Sequence, residues 1–146
     1  MSSPIPSSKP GQRAHLSNGG VDFLLEVIDG APVIRYWAAS FKGELSQNLF
    51  DRSIANSDFD EITSPGIMRE HSRCHLGYPT IKGHRAGLDW STKFSVKEFK
   101  SDKNSFQIQL EDSDAKLTLD ISATLDQFGV LKVSQELTNL GDNYFL

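Results

Sequence analysis

The clearest pattern lies in the second half of the chain, where apolar and polar positions alternate. Phe106, Ile108 and Leu110 alternate with Gln107, Gln109 and Glu111. Leu117, Leu119, Ile121, Ala123 and Leu125 alternate with Thr118, Asp120, Ser122 and Thr124. Leu131, Val133 and Leu137 continue the scheme, broken once by Gln135. Successive strand side chains point to opposite faces, so each segment predicts one core face and one wet face. Turn residues fall at 101–104, 112–114 and 126–129. Three or four strands joined by such short links form an antiparallel meander.

The first half is patterned differently. Residues 21–28 (VDFLLEVI) are rich in strand formers, Asp29, Gly30, Ala31 and Pro32 punctuate them, and residues 33–37 (VIRYW) follow. Two apolar runs around such a turn predict a hairpin. Leu45, Leu49, Phe50 and Ile54 have a rough helical spacing, which leaves room for one short helix near residues 45–54. Residues 56–65 (NSDFDEITSP) read as an exposed acidic loop, and residues 1–12, rich in Ser and Pro, as a disordered lead-in. The fold class expected for residues 13–146 is therefore all-β, an antiparallel β-sandwich. Tyr144, Phe145 and Leu146 form an apolar final segment. That predicts a last strand whose partners are supplied from elsewhere, and hence an incomplete domain.

Composition narrows the function classes. At 146 residues the chain has the length of one domain, and its formal charge of −4 comes with no basic stripe. Nucleic acid is not expected as a partner, because phosphate neutralisation needs such a stripe. No apolar run is long enough for a bilayer, so no membrane partner is expected. The single cysteine, Cys74, excludes an internal disulfide framework. The first residues lack the basic start and hydrophobic middle of a secretory signal, which makes a cytoplasmic location the expectation.

Polar chemistry concentrates in residues 68–90, MREHSRCHLGYPTIKGHRAGLDW. The segment holds His71, His75, His84, Cys74, Arg69, Arg73, Arg85 and Asp89 on a Gly-rich, loop-like background. A zinc site from His71, Cys74, His75 and His84 is disfavoured: in an extended segment Cys74 points away from His71 and His75, and no CxxC or HExxH spacing occurs. No metal and no cofactor are expected. A Cys74 nucleophile has no support beyond nearby imidazoles, and a packed or idle thiol is the expectation. There is no G-x-S-x-G elbow and no phosphate-binding glycine pattern. Asp58, Asp60 and Glu61 read as a solvated run rather than an acid/base pair. What remains is a mixture suited to sugars, which stack on flat aromatic faces and bond to Arg, His and Asp through their hydroxyls. Arg85, Asp89 and Trp90 are the candidate substrate-binding residues. The competing structural reading makes Trp90 core and Arg85–Asp89 a local ion pair that fixes the loop.

Residues 77–94, GYPTIKGHRAGLDWSTKF, resemble the G-x-P-x-x-x-G-x-R-x-G-x-D-W-S-x-x-F stretch of actinobacterial-type alpha-galactosidases of glycoside hydrolase family 36, with Glu70-His71 in the place of a preceding acidic residue and His. Residues 137–146, LTNLGDNYFL, resemble that family's L-T-N-x-G-D-x-x-Y-x-L strand. The resemblance covers most of the chain from about His15 onward. It implies the non-catalytic amino-terminal domain, part of a β-supersandwich, of a retaining enzyme that hydrolyses terminal alpha-linked galactose through a covalent intermediate. The partners it implies are a catalytic barrel of the same chain, an alpha-galactoside sugar and, because relatives sometimes cover the sugar pocket from a neighbouring subunit, a homo-oligomer. No segment here matches the barrel, so no catalytic residue is assigned and the chain alone is expected to be inert. The family's usual G-D-F-R-x-P-A loop is not kept: its nearest counterpart, residues 74–80, retains only Pro79. Two other functions fit the residue types: a stand-alone carbohydrate-binding module, which needs Trp37 or Trp90 exposed, and a mutarotase-like enzyme, which needs a His and a Glu converging on one sugar.

Overall fold

The computed structural model describes residues 12–41 and 66–146. The lead-in up to residue 11, the short helix near residues 45–54 and the acidic loop over residues 56–65 lie outside the described residues. Among the described residues the chain is almost wholly β. A first sheet contains β1 (Arg13–Asn18), β2 (Val21–Ile28) and β3 (Ala31–Ala39) in that order. A second contains β4 (Ser95–Ser101), β5 (Ser105–Asp112), β6 (Leu117–Leu125) and β7 (Leu131–Asn139), also in sequence order. Every pairing is antiparallel. The sandwich expected from the alternation is the fold.

Tight turns set the registers. Gly19 and Gly20 both have positive φ, as do Asp29 and Gly30, the pattern of two-residue hairpin turns whose twist matches the strands they join. The β2–β3 turn is consequently shorter than the sequence suggests. Ala31 and Pro32 already belong to β3, with Pro32 opposite Val27. Proline is tolerated there because β3 is an edge strand. β1 and β4 are the two strands that weak alternation hid. In β4 only Val96 and Phe99 pack against the core, and a register shift between Val96 and Glu98 breaks the period.

The core forms where the inner faces meet. Ala14, Leu16, Phe23 and Leu25 of the first sheet pack with Phe106, Ile108, Leu110, Leu117, Leu119, Ile121, Ala123 and Leu125 of the second, closed by Met68 and Phe94. Phe23 stacks on Phe106 with ring centroids 6.0 Å apart. Fully burying one such side chain is worth about 1.5–3 kcal/mol, so this layer dominates stability. β2 is also buried on its other face, where Asp22, Leu24 and Glu26 are shielded, which explains why Phe23, Leu24 and Leu25 are apolar in succession. Ser40 and Phe41 turn back to bond Asp22, and Arg13 and Arg35 pair with Glu26.

The strand β7 is the least covered. Leu131, Val133 and Leu137 face the same side as buried Leu125, Ala123 and Leu119. Val133 and Leu137 are nonetheless exposed, because three strands do not reach across four. Residues 140–146 are not the final strand expected from their apolar character. Asn139 Oδ1 accepts the Gly141 amide and Asn139 Nδ2 donates to the Asn143 carbonyl, bending the chain into a loop.

Candidate functional site

The part of the sheet-to-sheet connection that the structure describes before β4, residues 66–94, is a long loop fixed at several points. Its first anchor is Glu70, which is buried and accepts the Phe94 amide at 2.7 Å and Arg73 Nε at 2.9 Å. Burial raises the Glu70 pKa; the Phe94 amide and Arg73 oppose the rise without cancelling it. Arg73 extends the same network by donating to the carbonyls of Phe94 and Asp29. A second anchor pairs Arg69 with Thr80: the Thr80 amide donates to the Arg69 carbonyl, and the Arg69 amide donates to Thr80 Oγ1. Between the anchors His71–Arg73 form one 3-10 turn, and Cys74 follows with φ of 64°.

That turn gives His71 and His75 a closer approach than an extended segment allows, and its chemistry is internal. His71 Nδ1 lies 2.9 Å from the His75 carbonyl, which can only accept, so Nδ1 carries the proton. His75 is half-buried, with Nε2 packed against Gly77. Cys74 is exposed rather than packed; the left-handed backbone turns it away from the core. Glu70 does not converge with a histidine on the surface, as a mutarotase-like site requires: it is held in the interior while His71 and His84 are exposed.

The predicted trio splits. Arg85 and Asp89 form an ion pair at 2.9 Å. Arg85 also donates to the carbonyl of Ala115 and to Asn139 Oδ1, and more loosely to the Lys116 and Asn143 carbonyls at 3.4 Å. Its guanidinium centre sits 5.6 Å from the Phe145 ring centroid. Gly141 leaves room for it: a Cβ there would come within 2.9 Å of Arg85 Nη2. Gly83 similarly makes space for Phe145. The glycines, Arg and Asp of residues 83–89 and the Asn and Gly of residues 139–141 are thus two halves of one joint.

Trp90 behaves otherwise. It is 63% exposed and stands at the rim of an open cavity of about 690 Å³, together with His71, Tyr78, Lys82, His84 and Leu146. The rings of His71 and Trp90 are 6.4 Å apart, and Lys82 Nζ lies 5.4 Å from the Tyr78 ring centroid. His84 Nδ1 accepts the Gly87 amide at 3.3 Å, so a neutral His84 carries its proton on Nε2. The two imidazoles therefore have opposite neutral tautomers, His71 with an acceptor at Nε2 and His84 with a donor. Sequence reasoning singled out Trp90 and missed Tyr78 and Leu146, which only folding brings beside it. His84 and Leu146 are joined by a pair of backbone hydrogen bonds of 2.8 and 3.0 Å.

The chain is 29% identical over 127 residues to an alpha-galactosidase of Escherichia coli, covering 86% of this chain and 18% of that protein. Its fold matches the alpha-galactosidase AgaA of Geobacillus stearothermophilus solved with raffinose, with a TM-score of 0.70 and 12% identity over 90% of this chain and 23% of the other. It also matches AgaB of the same organism, with a TM-score of 0.62 and 12% identity over 90% of this chain and 22% of the other. The chain thus spans less than a quarter of the length of these relatives. Residues 30–145 match the family described as the glycosyl hydrolase family 36 N-terminal domain, and the chain belongs to that family.

Proposed function

We propose that this chain serves as the non-catalytic amino-terminal domain of a retaining alpha-galactosidase, and that its Trp90 cavity faces the alpha-galactoside bound by a catalytic domain. The family membership carries the first part of this reading. The cavity supports the second. An exposed indole offers a flat apolar surface, and the opposite tautomers of His71 and His84 offer one acceptor and one donor to sugar hydroxyls. Arg85 and Asp89 act behind the cavity wall rather than on the sugar. An exposed free thiol at Cys74 suits a reducing, cytoplasmic environment. Among the described residues no helix is long and apolar enough to cross a membrane.

The test is release of 4-nitrophenol from its alpha-galactoside, comparing these 146 residues with a longer product of the same gene. Activity in the longer product alone is the expected result; turnover by the short chain would overturn the reading. The exposure of both Trp37 and Trp90 favours one second reading, a carbohydrate-binding module. Retention of the short chain on immobilised galactose would support it.

A further inference from the structure

The two residues that flank the Arg85–Asp89 ion pair are both in the cavity wall. His84 immediately precedes Arg85 and Trp90 immediately follows Asp89. Between them the chain makes a tight turn in which the amides and carbonyls of Arg85 and Leu88 exchange hydrogen bonds of 2.8 Å, with Ala86 and Gly87 at positive φ. Asp89 is itself at a φ of 60°, a left-handed conformation that Asp tolerates better than most non-glycine residues and that a fixed side chain helps to keep. That side chain is fixed by the 2.9 Å bond from Arg85 Nη1 to Asp89 Oδ2. Arg85 in turn is tied to Ala115, Asn139 and Asn143, so the turn is referenced to the body of the second sheet.

We propose that the Arg85–Asp89 pair is a positioning device: it sets the separation and orientation of His84 and Trp90, and through them the affinity of the cavity for a pyranoside, without either charged group touching the sugar. This rests on the reading of the Trp90 cavity as sugar-facing. The physical case is that a side chain as exposed as Trp90 has little packing to hold it, so its placement depends on the backbone beneath it. At Asp89 that backbone is left-handed and its side chain is tied to the second sheet through one ion pair with Arg85.

Kinetics of this chain joined to its catalytic domain, with 4-nitrophenyl alpha-galactoside, provide the test, using Trp90→Ala, Asp89→Asn, Arg85→Lys and the Asp89→Asn/Arg85→Lys double variant, with Glu98→Gln on the outer face of the second sheet as control. Asp89→Asn keeps the shape of the side chain and loses only its charge, so it separates positioning from misfolding. The expected result is a KM raised about three- to tenfold in Asp89→Asn and in Arg85→Lys, with the double variant no worse than the poorer single one, because the two groups act as one unit. The change should fall on KM, with kcat within about twofold of the parent, as for a loss of uniform binding. If Trp90→Ala leaves KM at the parent value, the sugar-facing reading fails. If Trp90→Ala raises KM while Asp89→Asn does not, the cavity reading stands and the positioning role is overturned. Additive effects in the double variant would also overturn it.

Discussion

Gly19 lies back to back with Gly129: a Cβ on Gly19 would come within 2.0 Å of the Gly129 amide nitrogen. The first residue belongs to the β1–β2 turn and the second to the β6–β7 turn, so this contact joins the two sheets at one end of the sandwich. The Asn18 side-chain amide donates to the Leu125 carbonyl beside it at 3.0 Å. Backbone cannot approach backbone so closely past a side chain, which is why both positions are glycine.

That geometry separates two neighbouring substitutions. Gly19 and Gly20 both have positive φ, but nothing lies within 4 Å of a Cβ on Gly20. Gly20→Ala is expected to cost only the left-handed backbone penalty, about 1 kcal/mol. Gly19→Ala adds a clash with backbone and should cost about 2–4 kcal/mol in all. Urea denaturation of the two variants checks the difference; equal costs would show that the turns separate freely.

The buried carboxylate Glu70 gives a pH dependence of unusual sign. Its folded-state pKa is raised from 4.5, chiefly by desolvation, so the folded protein holds the proton more tightly than the unfolded chain. Its contribution to stability is then fully present below pH 4.5 and is lost as pH rises through the higher folded value. Thermal midpoints measured upward from pH 4.5 should fall more steeply in the parent than in Glu70→Gln. Parallel curves would contradict the assignment.

Asp22 has the opposite behaviour. Burial alone would raise it, but the hydrogen bonds from Ser17, the Phe41 amide, Ser40 and His15 together outweigh that effect and hold it below 3.8. Its stabilising contribution is present above pH 3.8 and is lost as pH falls through the lower folded value. Asp22→Asn should therefore flatten the acid limb of the stability curve while lowering stability at neutral pH. Acid titration followed by far-ultraviolet circular dichroism distinguishes it from Glu70→Gln.

Two aromatic substitutions should differ sharply in what they affect. Phe106 is 1% exposed and stacked on Phe23, so Phe106→Ala should cost about 3–5 kcal/mol. Trp90 is exposed, and Trp90→Ala should change stability by no more than about 0.5 kcal/mol. Calorimetric midpoints of the two variants measure this. A large loss for Trp90→Ala would mean that the indole supports the loop instead of lining a binding face.

Much of this protein was legible along the chain. The alternation from Phe106 to Leu137 determined strands β5, β6 and β7 and the core faces of β5 and β6, because a strand side chain has only two directions to point and the inward one must be apolar. The Asp29-Gly30 punctuation located the β2–β3 hairpin, since Gly is the residue that takes positive φ without strain. The residues of the strings at 77–94 and 137–146 carried the family resemblance. What those motif residues do was not legible. Arg85 has the chemistry of a sugar ligand in the sequence, and the structure surrounds it with five protein acceptors from segments up to 58 positions away. Trp90 was equally ambiguous between core and surface. Only the tertiary structure decided it, by filling the core with Phe23, Phe94 and Phe106 and leaving the indole outside, where Tyr78, His84 and Leu146 meet it across a cavity that no local pattern encodes.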